Sequence, residues 1–510
     1  MEMGMKLPGL CLAFIFTLRL AQSAHAQIVQ GQRIATEATA RFYEDQGTSE
    51  VWNDANYDAL IAAIEGLSAH GLEPAHYRLA RLRELRHESV GRDRVATSAW
   101  LMAAAHLAYG KLDAVSVEPD WTVIHHPTDF TSVLRYALQT GNIAGSLEQF
   151  APIQPGYRAL VSELANLRAE AEIPMTQVPA GPTMRENDLG VRVSALQTRL
   201  KQLGFLAEEF EISGVFGEDT VIAVETFQAQ QGLEADGIVG TATITALNRG
   251  VTERINQVRV NLERWRWLPA DLGRRHLRAN IAGFEVTAYE DGQPVQTHLT
   301  IVGRNYRRTP VFSDEIEYIV FNPWWETPTS LARADKLPMF QRDPGAVTRL
   351  GFQVLNAAGQ VVDPSTINWN DYSASNFPFR LRQAPGPDNA LGQVKIMFPN
   401  VHNVYLHDTP SRGLFAQSQR AFSSGCLRTQ YPIELSRWLL EETTDWTSER
   451  VDQAVASGRE TRATLAARVP VHILYFTAVN DGLGGVRYLD DIYDRDARVL
   501  RGLGEPPQVE

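Results

Sequence analysis

The 510-residue chain carries 48 basic and 60 acidic residues, a formal net charge of −12, and is 44% hydrophobic, 21% charged and 9% aromatic. That balance excludes a disordered chain, a collagen-like repeat and a polytopic membrane protein. The acidic excess argues against a nucleic-acid binder, whose affinity rests on cations that neutralise phosphates. The length predicts about three domains, each able to bury a core.

Residues 1–26 read as a signal peptide. An apolar run from Leu7 to Leu20, interrupted by Arg19, is too short to span a bilayer comfortably. Ala24-His25-Ala26 fits a small-x-small cleavage site, which makes Gln27 the expected mature start and sets an uncleaved anchor as the alternative. Cys11 leaves with the signal, so Cys426 remains as the single thiol of a chain bound for an oxidising compartment. A lone cysteine is either packed as a small hydrophobe or kept for its reactivity.

Residues 27–180 are expected to form a helical scaffold domain. Tyr57, Leu60, Ile61, Ile64 and Leu67 recur at helical spacing, and the Trp100 to Tyr109 stretch is similarly apolar. His125-His126-Pro127 reads as a surface loop, because a zinc site needs three or four spaced donors. Pro174 to Pro182 is a linker, and a small domain is expected at 186–250. Val193, Leu196, Leu200 and Leu203 mark one amphipathic helix; Val221, Val224 and Phe227 mark another. Gly214 to Thr220 is echoed by Gly237 to Thr243, each copy placing glycines at a tight turn before a helix. With Leu196-Gln197-x-x-Leu200 and Phe227-Gln228, residues 189–248 resemble the peptidoglycan-binding type-1 module, a three-helix domain that either binds wall or acts as a spacer.

A third domain is expected at 255–476. Ile255, Val258, Leu262 and Trp265 form a helix that ends before Pro269, after which the period changes to two. The alternation changes phase at Ala282-Gly283, which predicts a β-bulge, and Asp291-Gly292 predicts a hairpin turn. Further strands are expected at 317–321, 394–398 and 469–475. An irregular stretch of about 326–378 reads as a lid-like insertion, and 477–510 as a C-terminal tail. The fold class is multidomain α+β.

Cys426 lies in Ser423-Ser424-Gly425-Cys426-Leu427-Arg428, where small residues suit a turn that exposes backbone N–H groups. A cysteine attacks as its thiolate, which such groups or a nearby histidine favour. His407, 19 residues upstream in Tyr405-Leu406-His407-Asp408-Thr409, ends an apolar stretch that reads as a strand. Tyr405 shares the strand face of His407 by the period of two. His472 reads as a satisfied strand histidine, His402 as loop surface, and no metal-binding motif or phosphate loop is present.

His407-Asp408-Thr409 followed by Ser423-x-Gly425-Cys426-x-Arg428 resembles the signature of the L,D-transpeptidase family with a YkuD-type catalytic domain. Asn322-Pro323-x-Trp325, Ala374-Ser375-Asn376-Phe377-Pro378 and Arg382-Gln383-x-Pro385-Gly386-x-x-Asn389-Ala390-Leu391-Gly392 are similar to its large periplasmic branch of the YcbB type. The resemblance implies a secreted, periplasmic acyltransferase that makes cross-links between peptidoglycan stem peptides in cell-wall biogenesis and cell shape, without a cofactor, and that carbapenems target. Cys426 would attack the carbonyl of the third stem residue, typically diaminopimelate, in a tetrapeptide and expel the terminal D-Ala. His407 would carry the proton, the Asp408 backbone carbonyl would orient its ring, and the N–H groups of Gly425 and Cys426 would hold the oxyanion. Tyr405, Ser423, Ser424, Arg428 and Trp325 are the expected substrate contacts, with Arg428 alternatively bracing its loop and Trp325 alternatively packing. Ser424 and Asp408 depart from the common pattern, in which many members have His before Gly-Cys and Gly or Ser after the first His. An Asp408 carboxylate turned inward would raise the His407 pKa. Expected partners are stem peptides and other cell-wall synthesis enzymes, with no nucleic acid and no transmembrane segment after signal cleavage. A carboxypeptidase or amidase that hydrolyses the same thioester, and a non-catalytic wall-binding scaffold, are the alternatives.

Overall fold

The computed structural model describes residues 38–44, 50–88, 91–123, 128–171 and 174–506. The signal segment, Cys11 and His125-His126-Pro127 lie outside the described residues. The chain divides into two compact units, one of Met1–Asp271 with Phe476–Glu510, the other of Leu272–Tyr475. Among the described residues no helix is long and apolar enough to cross a membrane.

The first unit is helical. Asn53 caps the helix Asp54–Gly66 by accepting from the Asn56 N–H, and Tyr57, Leu60 and Ile64 form its buried stripe. The helix Arg92–Tyr109 is buried continuously from Ala99 to Leu107, as expected of a helix apolar all round at the centre of its unit. The three helices of the small module, Val191–Gln202, Glu218–Gln230 and Thr241–Leu247, enclose a core of Leu196, Leu200, Phe216, Val224, Phe227 and Leu247.

The internal echo of that module has a physical cause. Gln197 donates to the Val215 carbonyl and Thr220 and accepts from the Gly214 N–H; Gln228 does the same with Ile238, Thr243 and Gly237. Each buried glutamine thus clamps a glycine turn, and both glycines take a φ of 69°, which other residues reach only at a cost.

Two boundaries differ from expectation. The helix Val251–Arg266 belongs to the first unit, and the expected tail folds there too. A hairpin of Ala478–Asn480 with Val486–Tyr488 precedes a helix Asp496–Gly504. Gln257 donates to the carbonyls of Thr477 and Leu489, Asn261 bonds the Thr477 hydroxyl, and Arg264 pairs with Asp496 at 2.6 Å. The anchoring groups are polar and remote in sequence, so no local apolar period announces this packing.

The second unit is built on β1 (Arg275–Asn280), β2 (Glu285–Glu290), β3 (Gln293–Gly303) and β4 (Phe312–Phe321). β5 (Trp325–Glu326), β6 (Phe352–Leu355), β7 (Val361–Val362) and β8 (Arg380–Gln383) follow, then β9 (Val394–Met397), β10 (Leu406–His407), β11 (Ala421–Ser423), β12 (Leu427–Thr429) and β13 (Thr461–Leu474). The main sheet runs β11-β3-β12-β10-β9-β4-β13-β1-β2, and β2 pairs back onto β3, so it closes on itself. The expected bulge at Ala282-Gly283 is instead the turn of the β1–β2 hairpin, which explains the change of phase: the chain reverses, with Phe284 at a φ of 52°. Asp291-Gly292 does turn β2 into β3, both with positive φ as a type I′ turn requires.

The insertion is ordered. β5, β8, β6 and β7 form a second sheet with its own core of Trp325, Phe340, Phe352, Trp369, Phe377 and Leu381. Its strands span only two to four residues, too few for a legible period.

Candidate active site

The site is assembled by a parallel pairing. β10 lies between β9 and β12, with His407 opposite Lys395 on one side and Arg428 on the other. The Leu427 N–H donates to the Tyr405 carbonyl, which sets Cys426 level with Tyr405. Side chains alternate across a strand. Tyr405, His407, Lys395, Cys426 and Arg428 therefore share one face of the sheet, while Leu406, Ile396 and Leu427 fill the core behind it.

His407 is buried, and its Nδ1 lies 2.5 Å from the Asp408 carbonyl. A carbonyl only accepts, so Nδ1 carries the proton and Nε2 keeps a free lone pair. Burial, then the charge of Arg428 and, more weakly, of Lys395, push the imidazole down to about 3. The ring is a neutral base at pH 7. The Asp408 carboxylate points to the other face, where it accepts from the Gln393 N–H and meets Arg412 at 3.4 Å. It does not raise His407. A Cβ at Gly392 would overlap that carboxylate, which accounts for the glycine there. A cavity on this far face, lined by Asn322, Gly392, Asp408, Arg412 and Asp452, does not reach Cys426.

Cys426 is partly exposed, and its Sγ rests 3.6 Å from the Asn403 carbonyl with no hydrogen bond to His407. Crowding around the sulfur raises the thiol above its ordinary value, opposed first by the Tyr405 N–H and hydroxyl and then by the charges of Lys395 and Arg428. Asn400 fixes the loop beneath it, donating to the Phe398 and Val404 carbonyls at 2.6 and 2.7 Å.

The turn before the thiol is held by hydroxyls. Gly425 takes a φ of 116°, and its carbonyl accepts from Thr309 at 2.9 Å. Its N–H, expected to face an oxyanion, donates instead to Ser423 Oγ at 3.1 Å, and the Ser423 hydroxyl donates onward to the Cys426 carbonyl at 2.6 Å. Ser423 is thereby a buried brace and not a surface contact. The Cys426 N–H has no acceptor among the described residues and is left over for an anion.

Residues 274–461 match the model of the "L,D-transpeptidase catalytic domain". Over that span the chain is similar to an L,D-transpeptidase catalytic domain. Upstream of this match, residues 37–164 match a "Scaffold domain" and 190–247 a "Putative peptidoglycan binding domain". The "Putative L,D-transpeptidase" of Haemophilus influenzae is 39% identical over 220 residues, 43% of this chain and 44% of that protein. The "Probable N-acetylmuramoyl-L-alanine amidase" of Bacillus licheniformis is 36% identical over 78 residues, 15% of this chain and 22% of that one. The chain thus spans less than half the length of these relatives. The solved L,D-transpeptidase of Stackebrandtia nassauensis is 12% identical, with 59% of this chain and 96% of that one covered at a TM-score of 0.21, which adds nothing to the assignment.

The remaining expected residues sit around this face of the sheet. The Tyr405 ring packs edge-on to His407 at 5.6 Å, and its side chain hydrogen-bonds Trp325, which is buried in the core of the insertion. Trp325 therefore packs. Ser424 is exposed and accepts from Arg307 at 3.0 Å; Arg307 also forks onto Asp335 of the insertion at 2.8 and 3.2 Å. Arg428 is half-buried with its Nε unpaired. His472 is buried and satisfied by Ser313 and the Leu272 carbonyl, whereas His402, expected as loop surface, half-buries its ring against Phe312 at 4.9 Å. Sequence reasoning missed Lys395, Thr309, Arg307 and Asn400. A lone cation in the apolar strand Val394–Phe398 was the one signal available for Lys395.

Proposed function

We propose that this protein is a peptidoglycan L,D-transpeptidase in which Cys426 is the nucleophile. The observation that carries the reading is the pairing of His407 Nδ1 with the Asp408 carbonyl, which leaves Nε2 free on the strand face shared with Cys426. The Cys426 side chain turns from the Asn403 carbonyl toward Nε2, gives up its proton there, and bonds to the carbonyl carbon of the third residue of a tetrapeptide stem. The developing oxyanion takes the Cys426 N–H, a contact worth about 2.7–4 kcal/mol where it has been measured. Collapse expels D-Ala, whose amine takes the proton from Nε2 and leaves a thioester. The amine of a second stem attacks that thioester and passes a proton to Nε2, and Cys426 departs as the diaminopimelate-to-diaminopimelate link forms. A weakly basic imidazole suits a relay that holds the proton only in passing.

The match of residues 190–247 supports peptidoglycan as the partner of the small module, and such a substrate suits export to the periplasm. We further assign the chain to the large branch of the family, divided as signal 1–26, scaffold 27–180, module 186–250 and catalytic domain 255–476, the last beginning with the helix that packs in the first unit.

The test incubates the protein and its Cys426→Ala variant with tetrapeptide muropeptides and resolves products by mass spectrometry. Cross-linked dimers short of one D-Ala, absent with the variant, are expected. Tripeptide monomers alone would make the enzyme a hydrolase, and no change in either sample would overturn the enzymatic reading. A carbapenem is expected to add to wild type and not to Cys426→Ala.

A further inference from the structure

The neutrality of His407 leaves a question of charge. A thiolate in a partly enclosed site needs a positive neighbour, and an imidazole held down to about 3 cannot supply one at pH 7. Its alternatives on the same face are Arg428 and Lys395. Arg428 lies near a second guanidinium, Arg304, and of the two cations beside the thiol Lys395 acts on it more strongly.

Lys395 is placed differently. It sits opposite His407 in the β9–β10 pairing, and its Nζ lies 4.1 Å from the centroid of the Tyr405 ring, level with Cys426. No described carboxylate lies within 4 Å of it. Glu460 acts from farther off and is engaged by the Trp324 N–H at 2.7 Å. The groups facing Cys426 are therefore Tyr405 just before β10, His407 from β10, Lys395 from β9 and Arg428 from β12, with no acid among them. A half-buried ammonium without a carboxylate costs desolvation that Met or Leu at the same position would not incur. Packing on Tyr405 does not by itself account for the charge.

We propose that Lys395 is a positioning residue for the acyl-transfer step, the fixed cation seated on Tyr405 beside which Cys426 ionises. Ionisation breaks the S–H bond, the electron pair stays on sulfur, and the proton passes to His407 Nε2, which holds it for the leaving amine. The nucleophile rests as a thiol, and the ammonium of Lys395 lowers the cost of the thiolate that forms as His407 takes the proton. This rests on Cys426 as the nucleophile, but its test reads ionisation alone, without stem peptide, so either claim can fail while the other stands.

The experiment alkylates the full chain with iodoacetamide from pH 6 to about 11 and follows the Cys426 peptide by mass spectrometry, with near-UV circular dichroism as the check on fold. In Lys395→Met the midpoint of the pH–rate profile is expected to rise by about one unit, which makes alkylation at pH 7 about tenfold slower. Lys395→Arg, which keeps the charge, is expected to stay within about threefold of wild type. Lys395→Gln serves where Met disturbs the fold. A native-like Met or Gln variant with an unmoved midpoint overturns the proposal. So does an Arg variant shifted as far as Met, because shape and not charge would then be responsible.

Discussion

Two adjacent serines in front of the thiol should respond in opposite ways to the same substitution. Ser423 is 2% exposed and joins the Gly425 N–H to the Cys426 carbonyl through its hydroxyl. Ser423→Ala deletes two hydrogen bonds, each worth about 0.5–1.5 kcal/mol net, and strands a buried amide whose desolvation costs about 1–3 kcal/mol when nothing replaces the acceptor. The expected loss is about 2–4 kcal/mol. For a unit the size of Leu272–Tyr475, even the lower figure lowers the melting temperature by about 4–8 °C. The same bonds aim the turn that carries Sγ, so thioester formation should slow by at least about tenfold, the equivalent of 1.4 kcal/mol on the barrier. Ser424→Ala removes one bond from Arg307 at an exposed position and should change stability by less than about 0.5 kcal/mol. The assay pairs thermal melts with the rate of carbapenem adduct formation. A Ser423→Ala protein that melts and acylates like wild type would refute the role of the hydroxyl brace.

Three further outcomes are expected. His407 and His472 are held neutral, at about 3 and about 4 against 6.5 unfolded, so below pH 6.5 the unfolded chain binds protons that the folded chain does not. Their stability contribution is complete above pH 6.5 and lost as pH falls; at pH 5 each costs about 2 kcal/mol, so a urea midpoint for the catalytic unit that is equal at pH 5 and 7 would contradict it. Asp335→Ala breaks an exposed ion pair and should cost under about 1 kcal/mol, yet it frees the insertion from Arg307; hydrogen exchange in residues 329–342 should accelerate, and unchanged exchange would dismiss the link. Gly425→Ala meets nothing closer than the Arg308 carbonyl at 3.7 Å, so its cost of about 1–3 kcal/mol comes from the φ of 116°. It should abolish most turnover of tetrapeptide muropeptides while the protein stays folded, and wild-type turnover would show the turn to be tolerant.

What was legible in the sequence depended on how local the cause was. The alternation of Val394, Ile396 and Phe398 declared β9, and the glycine turns of the small module declared themselves because each lies within twenty residues of the glutamine that clamps it. The parallel pairing of β10 with β12 and the closure of β2 onto β3 have no local cause. They follow from packing between distant segments, so the face of Lys395 was hidden although its charge was not. The same divide runs through the turn before Cys426. Ser-x-Gly-Cys announces which hydrogen-bonding groups are present, but the amide left for an oxyanion is found only by subtracting those already satisfied. Ser423 uses the Gly425 N–H from within the motif, and Thr309 ties the Gly425 carbonyl from 116 residues away. After that subtraction the Cys426 N–H remains, attached to the same residue as the proposed attacking sulfur. A shift of the turn would move the proposed nucleophile and its proposed oxyanion donor together, which makes the buried hydroxyls as consequential for the proposed acyl transfer as the imidazole.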